Sequence, residues 1–103
     1  MSTRVKRARR PAGEIFPLSA SSAGDVGVIV RVGCEADAGG LARTELERRL
    51  LEMGFVEGAR IRVLHEGFIG RDPIAVQLDD MRVALRRREA ADVMVQSVHA
   101  DHD

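Results

Sequence analysis

The residues best suited to acid–base or nucleophilic chemistry are few and scattered along this chain. Histidine occurs only at positions 65, 99 and 102, and the single cysteine, Cys34, lies far from all of them in sequence, so nothing supports a Cys–His dyad. Asp79 and Asp80 are adjacent carboxylates, but between two apolar runs they are better suited to a turn. The sequence carries neither a phosphate-binding glycine loop nor a nucleophile elbow. It therefore predicts no catalytic site and no enzymatic activity.

Metal binding has only a weak candidate, in the C-terminal tail. His99, Asp101, His102 and Asp103 could form a flexible chelate, but residues 99–103 are polar and expected to fray, and ordering them would cost entropy. His65 falls in phase with a predicted strand and is interpreted as a strand-end residue. The sequence therefore predicts no cofactor and no metal site, and at most a weak transition-metal contact.

Apolar residues at alternate positions predict five short strands, each with one buried face. The alternating residues are Val26, Val28, Val30 and Val32; Ile61 and Val63; Ile74, Val76 and Leu78; Met81, Val83 and Leu85; and Val93 and Val95. Asp79-Asp80 predicts a tight hairpin, residues 66–72 a longer hairpin loop, and residues 86–91 one helical turn. The predicted core comprises Val28, Val30, Leu50, Ile61, Val63, Ile74, Val76, Val83, Leu85 and Val95.

One helix interrupts these strands, between Thr44 and Met53. Thr44 fits an N-cap, and Glu47 three residues later completes a capping box. Gly54 fits the left-handed residue that ends a helix, and Glu57-Gly58 then turns the chain into the next strand. A single short helix within a run of short strands predicts a mainly β fold, a small barrel of about five antiparallel strands with one inserted α-helix.

Length and charge divide the chain into three parts. Its 103 residues suit one domain, predicted at 14–98, and no segment is apolar enough to span a bilayer. Five basic residues precede the first acid, Glu14, so residues 1–13 are predicted to form a disordered basic arm. This arm is either a solvated tail or a contact to anionic lipid head groups or to a partner's acidic face. A single cysteine excludes an internal disulfide and fits the cytoplasm.

Nucleic-acid binding is the main competing function for a small barrel, because Arg82 and residues 86–88 form a basic run. Outside the arm, however, 11 basic residues face all 16 acidic ones. Stacking aromatics are also missing from the predicted strands. The run is therefore interpreted as solvated charge balanced by Glu89 and Asp92, and no nucleic-acid partner is expected.

Four sequence segments, in order and at the right spacing, resemble the FeoA family, small cytosolic partners of the ferrous iron transporter FeoB. They are PLSASSAGDVGVIVRV, LERRLLEMGFVEGARIRVL, GRDPIAVQL and RVALRRREAADVMV, and they cover about residues 17–96. The chain departs from the family pattern at Ser21, where a large apolar residue is common, at Glu57, where proline is common, and in a longer loop over residues 33–43.

The resemblance implies an SH3-like β-barrel without enzymatic activity, which binds the cytosolic GTP-binding part of a FeoB-like membrane permease. The candidate partner surface is the helix–turn segment, at Leu51, Met53, Gly54 and Phe55, with Phe68 and Ile69 of the following hairpin as the second candidate. Leu51 and Phe55 could instead complete the core. The same fold also occurs at the C-terminus of iron-dependent repressors, so a free-standing regulatory protein-binding module is the alternative function. The oligomeric state stays open.

Overall fold

The computed structural model describes residues 10–33 and 40–98. Cys34, His99 and His102 therefore lie outside the described residues, and so do residues 1–9 of the predicted basic arm. Arg10, which the sequence assigned to that arm, belongs to the folded part. Its guanidinium lies 3.9 Å from the centre of the Phe16 ring and 3.2 Å from a carboxylate oxygen of Asp25.

Within the described residues, six antiparallel strands form one sheet in the order β1-β6-β2-β3-β4-β5. The strands are β1 (Ile15–Pro17), β2 (Val26–Val32), β3 (Arg60–Ile69), β4 (Asp72–Leu78), β5 (Met81–Leu85) and β6 (Val93–Ser97). The helices are α1 (Gly40–Met53) and α2 (Arg87–Ala90), and a 3₁₀ turn spans Leu18–Ala20. The five predicted strands and the helical turn before β6 are confirmed. The sixth strand, β1, has only three residues and no alternation long enough to be recognised.

Helix α1 begins four residues earlier than predicted, so the proposed N-cap at Thr44 is wrong. Gly40 is the first helical residue, and the good helix formers that follow it extend the helix upstream. The predicted end is confirmed. The Phe55 N–H donates to the Leu50 carbonyl and the Gly54 N–H to the Leu51 carbonyl, each at 3.0 Å, while Gly54 has φ 108°. This pair of bonds is a Schellman motif, which requires a left-handed residue that glycine adopts without strain.

Strand β2 turns its other face to the core, so the prediction for Val28 and Val30 is wrong. Ile29 is buried, while the two valines are half-buried. Gly27 lies so close to β6 that a Cβ there would overlap Val95. The face of β2 that carries Gly27 and Ile29 is therefore the one packed inward, and the bulkier valines lie on the outer side.

The rest of the predicted core is largely confirmed. Val83 is only partly buried, at the margin of the cluster. The buried apolar side chains are Phe16, Leu18, Ile29, Leu50, Phe55, Ala59, Ile61, Val63, Ile74, Val76, Leu78, Leu85, Ala90, Val93 and Val95.

The predicted loop at residues 66–72 is wrong, because β3 and β4 continue as a paired ribbon. Ile69 pairs with Asp72, and only Gly70 and Arg71 form the turn, with φ 65° and 60°. Two consecutive positive φ angles give the primed turn that matches the twist of a hairpin. Gly67 lies within β3 where the ladder shifts register, and a Cβ there would overlap the Asp72 carbonyl, so the position suits glycine. The tight hairpin at Asp79-Asp80 is confirmed.

Candidate functional interaction surfaces

The C-terminal end of α1 lies against the β4–β5 hairpin and leaves apolar side chains at the surface. A Cβ on Gly54 would lie 3.3 Å from Leu78 and 3.6 Å from Met81, which shows how closely the helix end approaches the hairpin. Leu51, Val56 and Met81 are 49%, 43% and 49% exposed. We call these three residues, together with the partly buried Met53, the helix–turn patch.

The structure separates the residues predicted for this surface. Leu51 and Met53 both belong to the patch, and Gly54 next to them is half-buried. Phe55 is completely buried and belongs to the core, which is the alternative that the sequence left open. Two patch residues were missed. Met81 alternates with core residues, and only its position at the end of a strand indicated exposure, while Val56 stands next to a predicted turn.

The edge of the sheet formed by β5 borders the helix–turn patch. Hydrogen-bonded pairs alternate with non-bonded pairs in an antiparallel ladder, and the pair that closes a two-residue hairpin is bonded. The bonded pairs of β4 and β5 are therefore Leu78–Met81, Val76–Val83 and Ile74–Leu85. It follows that Arg82 and Ala84 direct their backbone N–H and C=O groups away from β4, on the side where no other strand of the described chain pairs with β5. Such an edge can accept an added strand.

The second candidate surface is the tip of the β3–β4 hairpin. Phe68 is 102% exposed and Ile69 is 85% exposed. β5 pairs with β4 only from Ile74 onward, and β2 pairs with β3 only up to Arg62. The last rungs of the hairpin therefore form a two-stranded ribbon that extends beyond the sheet, and no other strand among the described residues pairs with either side of it.

Arg87 fastens the turn of this ribbon to the rest of the fold. Its guanidinium donates hydrogen bonds to the backbone carbonyls of Arg71 (2.7 Å), Ser19 (2.9 Å) and Ser21 (2.9 Å), and to a Glu66 carboxylate oxygen (3.0 Å). Its side chain is 16% exposed. The interpretation of the arginine run as solvated charge is therefore wrong for this residue. A planar guanidinium with five donors suits such a set of acceptors, but sequence alone gave no sign of their convergence.

Arg87 is also anchored through its own backbone. The carboxylate of Asp72 accepts a hydrogen bond from the Arg87 N–H at 2.9 Å. Glu89 caps the same short helix, since its carboxylate accepts from the Arg86 N–H at 2.8 Å. The start of α2 and the ribbon therefore form one connected polar network.

Ser21, one of the departures from the family pattern, is almost completely buried. Its side chain is 1% exposed, and its hydroxyl has no hydrogen-bond partner within the described chain. A buried position that offers the hydroxyl no polar partner is compatible with the large apolar residue that is common there.

Two further properties concern the described residues as a whole. Across positions 10–33 and 40–98, no three His, Cys, Asp or Glu side chains are grouped to hold a metal ion. His65 is an exposed residue within β3. A search of the described helices for one that is both long and apolar enough to cross a bilayer finds none.

Comparison with known proteins gives a consistent family. The FeoA domain model matches residues 16–97. A curated relative from Porphyromonas gingivalis, an Fe(2+) transport protein A/Fe(2+) transporter FeoB fusion protein, is 38% identical over 84 residues, which make up 82% of this chain. The chain spans only 9% of the length of that relative.

Solved structures extend the similarity to the fold. FeoA of Stenotrophomonas maltophilia, complexed with zinc and described as a procaryotic SH3 domain protein, aligns with a TM-score of 0.63 and 32% identity over 79% of this chain and 89% of that one. FeoA of Chlorobium tepidum aligns with a TM-score of 0.65 and 31% identity over 84% of this chain and 74% of that one. A manganese-dependent transcriptional repressor aligns with a TM-score of 0.67 and 26% identity over 85% of this chain and 44% of the repressor. This mainly β, SH3-like chain therefore belongs to the FeoA family.

Proposed function

We propose that this protein is a non-catalytic, cytoplasmic accessory factor for ferrous iron uptake that binds the cytosolic GTP-binding part of a FeoB-like permease. The observation that carries the proposal is the relative in which an FeoA part and an FeoB transporter share one polypeptide. Fusion into one polypeptide keeps the two parts at a high effective concentration near each other. When the two parts are separate chains, a docking surface must bring them together instead.

The helix–turn patch is the surface proposed for this docking. Leu51, Val56 and Met81 expose apolar area around a rigid glycine turn, and the Schellman bonds hold that turn in place. Apolar side chains on a fixed frame lose little conformational entropy on binding, so they suit the role of interface anchors. The adjoining β5 edge offers backbone donors and acceptors at Arg82 and Ala84 to an extended segment of the permease.

A charge placed within the patch tests this assignment. Leu51→Glu should leave the fold intact, because Leu51 is half exposed, and should abolish association, because a carboxylate in a desolvated interface is costly. Circular dichroism measures folding, and a pull-down with the permease's cytosolic domain measures binding. Ile15→Glu is the matched control: Ile15 is 54% exposed and lies on β1, outside the patch. It should fold and bind.

Two results would contradict the docking surface. If Leu51→Glu unfolds the protein, Leu51 contributes to the core rather than to an interface. If the variant folds and still captures the permease domain, the contact lies elsewhere on the molecule.

A regulatory module that binds another protein segment is the second candidate function, supported by the similarity to the manganese-dependent repressor. Failure of the wild-type protein to capture the permease domain would favour this candidate. Nucleic-acid binding is disfavoured further, because Arg87, the centre of the basic run, is engaged with four acceptors inside the molecule.

A further inference from the structure

The tip of the β3–β4 hairpin has a different character from the helix–turn patch. Phe68 and Ile69 are more exposed than any other large apolar side chains of the described chain. The other exposed ones, Ile15, Leu51, Val56 and Met81, lie on other elements. The tip is therefore a small, isolated apolar projection.

The shape and size of the tip suit insertion into a lipid interface better than docking on a protein surface. Phe68 and Ile69 are both almost fully exposed, so no described part of the fold covers either side chain. The two side chains offer roughly 300–400 Å² together, less than the ~800 Å² per partner of a stable protein interface.

The charges around the ribbon fit an anionic surface. Arg71 lies at the turn with its side chain 68% exposed. Arg86 and Arg88 are exposed on either side of Arg87, whose guanidinium donates to the Arg71 carbonyl in the turn of the ribbon. The carboxylate of Glu66 lies 3.0 Å from the Arg87 guanidinium and 3.6 Å from that of Arg71.

The other carboxylate at the ribbon, that of Asp72, accepts the Arg87 N–H. Both acidic groups are thus engaged within the molecule, while Arg71 at the turn and Arg86 and Arg88 beside Arg87 remain exposed. Positive charge near an anionic bilayer surface strengthens the attachment of an interfacial apolar anchor.

We infer that the β3–β4 hairpin inserts Phe68 and Ile69 end-on into the head-group interface of an anionic bilayer. Insertion is shallow, because the hairpin backbone must stay hydrated beyond the paired rungs. This contact would hold the protein at the membrane surface with the helix–turn patch still accessible. It does not depend on docking to a permease.

Because the protein contains neither Trp nor Tyr, an introduced tryptophan can be followed by its fluorescence without interference from other residues. Phe68→Trp introduces a single tryptophan at the tip, and Leu51→Trp introduces one at a half-exposed position of the helix–turn patch. Each variant is mixed with vesicles of phosphatidylcholine alone or of phosphatidylcholine with phosphatidylglycerol. Emission is recorded with and without lipids brominated in the acyl chains.

The tryptophan at position 68 should shift to shorter wavelength and be quenched by brominated lipid on the anionic vesicles, while the one at position 51 should change little. In co-sedimentation, the double change Phe68→Ser and Ile69→Ser should lower partitioning to anionic vesicles by about tenfold or more, because most of the inserted apolar area is lost. Both residues are exposed, so circular dichroism should be unchanged.

The inference is overturned if emission at position 68 does not shift, or if position 51 shifts equally, which would indicate non-specific adsorption. It is also overturned if the double serine variant keeps vesicle binding but loses the permease domain in a pull-down, since the tip would then be a protein contact. The vesicles contain no permease, so a negative result there leaves the proposed docking untouched.

Discussion

Replacing Arg87 by alanine should destabilise the protein strongly, although the residue belongs to a run of three arginines. The change removes the donor to three backbone carbonyls and to Glu66. The two side chains of the ion pair are only 16% and 17% exposed, so Glu66 would lose its closest cation in a partly desolvated site. Removing one partner of a buried pair costs about 3–5 kcal/mol, and partial exposure places this pair at the lower end, ~3 kcal/mol.

Urea denaturation followed by far-UV circular dichroism measures this loss. A domain of this size is stable by about 5–15 kcal/mol, so the variant should remain folded enough for a full transition. Arg88→Ala is the matched control, because that side chain is exposed, and it should change the free energy of unfolding by less than about 0.5 kcal/mol. Arg87→Lys should fall between the two, since an ammonium group cannot reach four acceptors arranged for a planar fork.

A double-mutant cycle with Glu66→Gln separates the ion pair from the carbonyl contacts. We expect a coupling of roughly 0.5–3 kcal/mol between the two positions. The reasoning is refuted if Arg87→Ala costs less than about 1 kcal/mol, or if Arg88→Ala is equally destabilising. Either result would mean that the network seen around the ribbon contributes no more than ordinary surface charge.

Further predictions concern packing. Ile29→Ala should lower the free energy of unfolding by about 2–5 kcal/mol, because Ile29 is fully buried. Val28→Ala on the same strand should lower it by less than about 1.5 kcal/mol, because Val28 is only half-buried. Equal losses in urea denaturation would contradict the assignment of the faces of β2. Ser21→Ala should stabilise the protein by about 1 kcal/mol, because it removes a buried hydroxyl without a partner in the described chain, and Ser22→Ala on the more exposed neighbour provides the comparison. A loss of stability in Ser21→Ala would show that its hydroxyl is satisfied in solution.

The alternation of apolar residues and the residues typical of turns predicted most of the fold. The strands around Ile61, Ile74 and Leu85 and the glycine stop at Gly54 were predictable because period two and a left-handed residue are local properties of the chain. Local signals also misled. Thr44 has the chemistry of an N-cap, but upstream residues with good helix propensity extend α1 past it.

The candidate surfaces were predictable only in part. Leu51 was indicated by its place in the predicted helix–turn segment, and Phe68 and Ile69 by their place in the predicted hairpin loop. Phe55 could not be placed, because a large apolar residue after a helix end serves a core and an interface equally well in sequence. The place of Met81 in the patch depends on the approach of α1 to the β4–β5 hairpin, which no local sequence pattern predicts.

The amino-acid sequence alone indicated the mainly β fold, its one long helix and the family. These depend on residue types at fixed local spacing. The buried face of β2 could be identified only from its packing against β6, where a Cβ on Gly27 would overlap Val95. Tertiary structure also decided that Arg87 is a structural clamp, because its acceptors come from segments as far as 68 positions away along the chain, and such convergence exists only once the sheet has formed.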